Sequence, residues 1–377
     1  MQSHNKLTIP GFVCAHTHLY SALARGMPAP AETPRNFVEI LERVWWRLDR
    51  ALDAEAVEIS ALVGAVEAAK AGCTTLVDHH ASPGRGGNAV DGSLDLVAAA
   101  VAEVGLRAVV CYEVTDRNGP DEARAGVREN DRFLARVRRE PPRLVRAMVG
   151  AHAAFTLSDA TAEALADVAR RHRAGVHIHV AEDAVDARKD GRSTVSWLKA
   201  RGLLDERALF AHCIHVDDAD VALIREAGAW VVHNPRSNAN NAVGYAHPSR
   251  FGERLLLGTD GIGADMRAEA QFAFFAARDH GDPLDPGATL ARNRAFAAAS
   301  FGIESLDDTI TLDYASPTPV DDGNFGGHLL FGLGAARVRD VVVDGHVVVR
   351  DGVCVNVDEE RIYARAREIA ARLWARL

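Results

Sequence analysis

Several absences narrow the reading of this chain before any motif does. Of its 377 residues only five are cysteine, Cys14, Cys73, Cys111, Cys213 and Cys354, with no Cys-x-x-Cys pair. That argues against a disulfide framework and a structural zinc knuckle, and a reducing, cytoplasmic setting is the expectation. No apolar run approaches the roughly 18 residues of a membrane span, and the opening MQSHNKLTIP is not the pattern of a secretory leader. Basic stripes are also missing. The formal net charge is -9, with arginine scattered among acidic residues, so neither nucleic acid nor an anionic membrane is an expected partner. Lysine is limited to Lys6, Lys70, Lys189 and Lys199. No Gly-rich phosphate turn follows the first strand, which disfavours a dinucleotide-binding doubly wound sheet.

What the chain does have is alternation. Eight short apolar runs, FVCA, CTTLVD, LRAVVCY, RLVRAMVGAH, GVHIHVAE, ALFAHC, AWVVHN and LLLGTD, alternate with Ala-rich stretches such as DAEAVEISALVGAVEAAKAG and SDATAEALADVARRHRAG. These stretches open on Asp or Ser and close on Gly, as helix caps require. The pattern predicts an α/β fold of parallel strands with crossover helices, and eight units over about 250 residues predict a (β/α)8 TIM barrel. After about residue 300 the chain turns to short strands, DTITLDYAS, HLLFGL and VRDVVVDGHVVVRDGV, the last folded at an Asp344-Gly345 turn. The expected division is a hydrolase barrel over 8–303, a small, reduced β-sandwich formed mainly by the tail over 304–356, and a C-terminal helix over 357–377.

In such a barrel the chemistry stands at the C-terminal ends of the strands. Most of the sixteen histidines fall there. His16 and His18 lie two apart on one strand, so their rings share a face. His79 and His80 end the second strand, His152 the fourth, His179 with Glu182 the fifth, His212 and His215 the sixth, His233 and Asn234 the seventh, and Asp260 the eighth. Three neutral imidazoles and a carboxylate are a common donor set for a catalytic divalent ion, zinc or else iron. The expected ligands are His16, His18, His179 and Asp260, and such an ion brings the pKa of a bound water to about 7. Glu182 is placed to carry a proton to a ring nitrogen or departing amine, and His212 to polarise the water or stabilise an oxyanion. Asp260 thus counts both as ligand and as part of the catalytic set.

The ordered motifs, PGFVCAHTHLY, HIHVAED, AHCIHVDD, HNPRSNANNAVG, GTDGIGADM and PTPVDDGNFGGHLLFG, resemble the amidohydrolase superfamily. More narrowly they resemble the aminohydrolases grouped with chlorohydrolases and with the methylthioadenosine, S-adenosylhomocysteine and guanine deaminases. The resemblance spans residues 8 to 356. It implies the metal and proton-transfer roles just given to His16, His18, His179, Glu182, His212 and Asp260, and a homodimeric or larger assembly. Two-metal members of the superfamily carry a bridging lysine at the end of strand four; here that position falls near Ala151 and His152, so one metal ion per chain is expected. Relatives also carry further sandwich strands before the Pro-Gly-Phe segment, so a reduced sandwich or an internal start is the expectation here.

The expected substrate is a polar N-heterocycle such as a purine, pterin or triazine. Candidate contacts are His80, Tyr112, Arg117, His152 and Asn238, with Glu113, Asn240 and Asn241 beside them. His79 competes with His80, because neighbouring strand residues point to opposite faces. Trp45 and Trp46 either stack on a flat ring or pack a helix onto the barrel. Asn234 and Ser237 are expected to fix the loop after strand seven, and His215 to meet a neighbouring carboxylate. His4, His172, His247, His280, His328 and His346 are expected to have no catalytic duty, His328 serving at most a domain contact. The activity expected is deamination through metal-activated water and a glutamate proton shuttle. Its rivals are opening of a cyclic amide, displacement of chloride or alkylamine, and a non-catalytic homologue that only binds ligand.

Overall fold

The computed structural model describes residues 6–83 and 90–377; His4 lies outside them. Among the described residues, sixteen strands occur in chain order: β1 Lys6–Pro10, β2 Phe12–Thr17, β3 Cys73–His80, β4 Arg107–Tyr112, β5 Val145–Ala147, β6 Val149–Ala153, β7 Val176–Val180, β8 Arg188–Lys189, β9 Arg192–Ser193, β10 Leu209–His212, β11 Trp230–His233, β12 Leu255–Leu257, β13 Thr309–Asp313, β14 Arg337–Val343, β15 His346–Arg350 and β16 Val353–Cys354. Nine of them make the eight barrel staves, because the fourth stave breaks at Met148 into β5 and β6.

Two parallel arcs, β2-β3-β4-β5 and β6-β7-β10-β11-β12, form the wall. They meet at both edges through parallel bridges, Thr17 with Asp260 and Val114 with Ala151. Backbone bonds reinforce the joins: Asp260 N–H donates to the His16 carbonyl at 3.0 Å and His152 N–H to the Val114 carbonyl at 2.9 Å. Period-2 alternation sorts the side chains. Ala15, Val77, Val109, Leu209, Val232 and Leu256 form an inner core separate from the main one, closed by Phe296 and Phe301. Their outward neighbours, among them Leu76, Val110, Ile178 and Val231, join the larger core that includes the surrounding helices. The inner core fills the barrel and leaves the strand C-termini as the open end.

β1, β13, β14, β15 and β16 form one antiparallel sheet. Its edge is Lys6–Pro10, paired with β13 from Lys6 opposite Asp313 to Pro10 opposite Thr309, so the small β unit recruits the segment before the barrel and the barrel proper starts at Phe12. This sheet and the helix Glu359–Trp374 pack on the barrel helix Ala54–Lys70. That helix therefore supplies a second layer to the small unit. Ion pairs Arg365–Glu58 and Arg372–Glu55, both 2.7 Å, run along the helix contact. No helix among the described residues is long and apolar enough to cross a membrane.

Candidate metal centre and active site

The backbone at the barrel mouth is strained where the key side chains sit. Ala181, His212, Cys213 and Asp260 have φ of 47, 74, 50 and 55°, a left-handed region unfavourable for residues with a Cβ and concentrated at functional sites. Each ends or follows β7, β10 or β12. Between β12 and Asp260, Gly258 has no room for a side chain: a Cβ there would stand 2.6 Å from Asn234 Oδ1 and 2.8 Å from His16 N.

Four imidazoles border the Asp260 carboxylate: Nε2 of His16, His179 and His212 share one group with it, and His18 Nε2 stands beside it. His18 Nδ1 donates to the His79 carbonyl at 2.6 Å and His179 Nδ1 to the His152 carbonyl at 2.9 Å. A carbonyl only accepts, so both rings carry a proton on Nδ1 and turn Nε2 toward the cluster. His212 Nδ1 meets Asn238 Oδ1 at 2.8 Å and His16 Nδ1 meets His177 Nε2 at 2.9 Å. His18 Nε2 and His179 Nε2 face each other at 3.2 Å. Asp260 closes the set, with Oδ1 at 3.0 Å from His18 Nε2 and 3.6 Å from His16 Nε2, and Oδ2 at 3.7 Å from His212 Nε2.

Whether these residues fit a metal is answered by their lone pairs. Nε2 of His16 and Nε2 of His212 are buried with no hydrogen-bond partner among the described residues. One ligand atom each from His16, His179, His212 and Asp260 lies within 4.8 Å of the others. Acceptors gathered this closely repel unless a cation sits among them. The charges agree: burial disfavours a proton on His18, yet Asp260 and Glu113 push it up to about 9, so the pocket calls for a positive charge. Burial lowers His16 to about 3, which keeps it a neutral donor. The set fits a divalent ion of the zinc or iron type.

Glu182 stands beside this cluster. Its Oε2 is 3.5 Å from His212 Nε2, and Asn241 Nδ2 donates to its Oε1 at 3.2 Å. Burial, with Asp260 adding to it, pushes the carboxyl up to about 7. Ser237 Oγ donates to Asp260 Oδ2 at 2.5 Å, so Ser237 does more than hold its loop.

A cavity of about 350 Å³ opens onto the cluster, lined by His18, His179, Glu182 and Asp260 and by Trp45, Trp46, Glu113, Arg117, His152, Asn240 and Asn241. Trp45 and Trp46 both reach it because a π-turn over Leu41–Trp45 interrupts the helical segment that carries them. Arg117 lies 4.9 Å over the Trp46 ring and is paired with buried Asp49. His152 Nδ1 donates to Thr156 Oγ1 at 2.8 Å while its ring faces the cavity.

Three expected substrate contacts point elsewhere, and alternation explains two of them, His80 and Tyr112. His79 shares the inner face with Val77, so His80 faces the helices, bonded to Ser82 Oγ at 2.8 Å. Tyr112 likewise alternates with inward Cys111 and sits in the outer core; its ring packs so close to Gly126 that a Cβ there would meet it at 2.9 Å. The inward residue is Glu113, buried, with Oε2 at 3.2 Å from His79 Nδ1. Burial works against its charge, but His152, His79 and His18 hold it well below the usual carboxylate range. Asn238 does not line the cavity; it orients His212. His215 Nε2 donates to the Val243 carbonyl at 2.8 Å rather than to a carboxylate. His177 went unread in the sequence, although the His-x-His spacing of HIHVAED places it on the same face as His179.

Fold and site together define a barrel whose mouth carries a His/Asp group able to hold a metal ion. The chain belongs to the amidohydrolase family, whose model matches residues 7–304, and it is a hydrolase. It is 30% identical over 390 residues to 5-methylthioadenosine/S-adenosylhomocysteine deaminase of Desulforudis audaxviator, covering 97% of this chain and 86% of that protein. Against 5'-deoxyadenosine deaminase of Methanocaldococcus jannaschii it is 27% identical over 387 residues, covering 97% and 88%. Among solved structures, a zinc-bound adenosine deaminase from Xanthomonas campestris superposes with a TM-score of 0.84 at 21% identity, covering 98% of this chain and 86% of that one. The zinc complex of atrazine chlorohydrolase TrzN from Arthrobacter aurescens TC1 gives 0.77 at 20%, covering 97% and 88%. At these identities the two structures establish the shared fold.

Proposed function

We propose that this protein is a metal-dependent aminohydrolase that releases ammonia from a polar N-heterocycle, with aminopurines of the adenosine type as the first class and pterins and triazines next. The observation that carries the reading is the gathering of His16, His179 and His212 around Asp260, with His18 Nε2 3.0 Å from the same carboxylate, beside the buried carboxyl of Glu182. Similarity along nearly the whole chain to proteins named as deaminases of adenosine derivatives supports the purine class.

His16, His18, His179 and Asp260 would hold one divalent ion, zinc or iron; β6 ends in His152 and Ala153 with no lysine to bridge a second. When bound, such an ion lowers the pKa of a water toward about 7 and so supplies a nucleophile at neutral pH. His212, with Nδ1 held by Asn238, offers Nε2 to the proton of the attacking water. Glu182 delivers its proton to a ring nitrogen, which makes the ring carbon electrophilic, passes the water proton received from His212 Nε2, 3.5 Å away, to the departing amine, and regains its own proton from the new hydroxyl as the carbonyl forms. Asn241 keeps its carboxyl aimed at the cluster. Trp45 and Trp46 offer faces for a flat ring, and Arg117 and His152 polar edges. Asp260, bonded by Ser237, keeps its other oxygen for the metal set.

Metal content by plasma mass spectrometry, followed by an ammonia-release screen over aminopurines, pterins and triazines, tests the proposal. About one metal per chain with ammonia from one class supports it. Metal without ammonia favours ring opening or dechlorination, and no metal overturns the reading. We further propose a cytoplasmic homodimer or larger homo-oligomer, to be checked by light scattering and cell fractionation.

A further inference from the structure

We propose that His177, outside the ligand set, is a positioning residue that fixes which nitrogen His16 presents to the metal; the proposal rests on the functional reading above. His18 and His179 have Nδ1 locked by backbone carbonyls. His16 differs, because its Nδ1 meets only a side chain, His177 Nε2, at 2.9 Å. Two imidazoles facing each other can share their proton in either direction, so the pair alone leaves the tautomer of His16 open.

The next two contacts close it. Cys111 Sγ lies 3.6 Å from the Asp78 carbonyl and 3.7 Å from His177 Nδ1, both within the longer reach of sulfur. Because a carbonyl only accepts, the thiol proton points to Asp78 and the sulfur is left to accept from His177 Nδ1–H. His177 Nε2 then carries the lone pair, His16 Nδ1 must carry the proton, and His16 Nε2 turns its own lone pair to the cluster. His16 and His177 are wholly buried and Cys111 is 1% exposed, so bulk water offers no competing partner. A relay of one carbonyl, one thiol and one neutral histidine thereby sets a metal-facing nitrogen, the task that a carboxylate or carbonyl performs in most metal-histidine pairs.

The test uses the full chain as wild type, His177→Leu and His177→Gln, with zinc affinity measured by competition against a chromophoric chelator. Leucine removes the acceptor, and zinc affinity should fall about 10- to 100-fold. Glutamine restores an acceptor for His16 and a donor for Cys111, so it should recover most of that loss, with both metal-free variants melting at similar temperatures. Leucine binding zinc as tightly as wild type overturns the proposal, as does glutamine as weak as leucine. A wild type that takes up no zinc overturns the functional reading as well. Should the leucine variant not fold, histidine-labelled nitrogen NMR of the metal-free wild type decides: an Nδ1–H tautomer at His16 is expected, and Nε2–H refutes the relay.

Discussion

Two places where the barrel buries charge are finished differently. At the seam with the small sheet, Arg107 at the start of β4 is closed by Asp308 at 3.1 Å and Asp344 at 2.8 Å, and Asp308 also accepts from Asp344 N–H at 2.8 Å. Opposite charges meet there with their hydrogen bonds made. The mouth instead crowds histidines with Asp260, Glu113 and Glu182, leaving His16 Nε2 and His212 Nε2 without hydrogen-bond partners among the described residues. Matched buried charge holds elements together, whereas unmatched buried charge marks a place that must bind something else.

The sharpest break in this contrast is His179→Ala, which removes a central donor from the mouth. Metal content after dialysis should drop to a trace while the melting temperature of the metal-free protein barely changes. Glu182→Gln comes next: metal should be retained and turnover lost by about 10²- to 10⁴-fold, and a variant with normal turnover would remove the proton shuttle. At the seam, Arg107→Ala leaves Asp308 buried without its cation and should cost about 3 kcal/mol or more in denaturant unfolding, with metal stoichiometry unchanged. Ser237→Ala, which strips one hydrogen bond from Asp260, should weaken zinc binding by roughly tenfold, as loss of a bond to a ligand does. The smallest effect belongs to the exposed pair Arg372–Glu55: Arg372→Ala should cost under about 1 kcal/mol. A larger loss there would mean that the C-terminal helix depends on its surface pairs more than on its apolar face.

Much of the barrel was legible because local patterns generate it: β-branched runs, capped amphipathic helices and the Asp344-Gly345 turn, which joins β14 to β15. That His16, His18, His179 and Asp260 would meet at the barrel mouth was legible as well, since imidazoles and carboxylates at successive strand ends have few other reasons to be there. His80 and Tyr112 mark where that reading stopped. Alternation states that neighbours on a strand oppose each other, but not which of them faces the axis; in the folded chain that choice went to His79 and Glu113. The edge strand Lys6–Pro10 is a similar case, because its partner β13 lies about 300 residues away and no local signal names it.

By itself, then, the sequence determined the kinds of element, their order and the chemical types at each strand end, all of which follow from interactions between near neighbours. Only the tertiary structure decided that His16 meets His177, 161 residues away, that Asn238 serves His212 rather than a substrate, and that Ser237 serves Asp260. Those contacts exist because a closed barrel brings strands from distant parts of the chain to one mouth, and closure depends on the packing of all eight staves together.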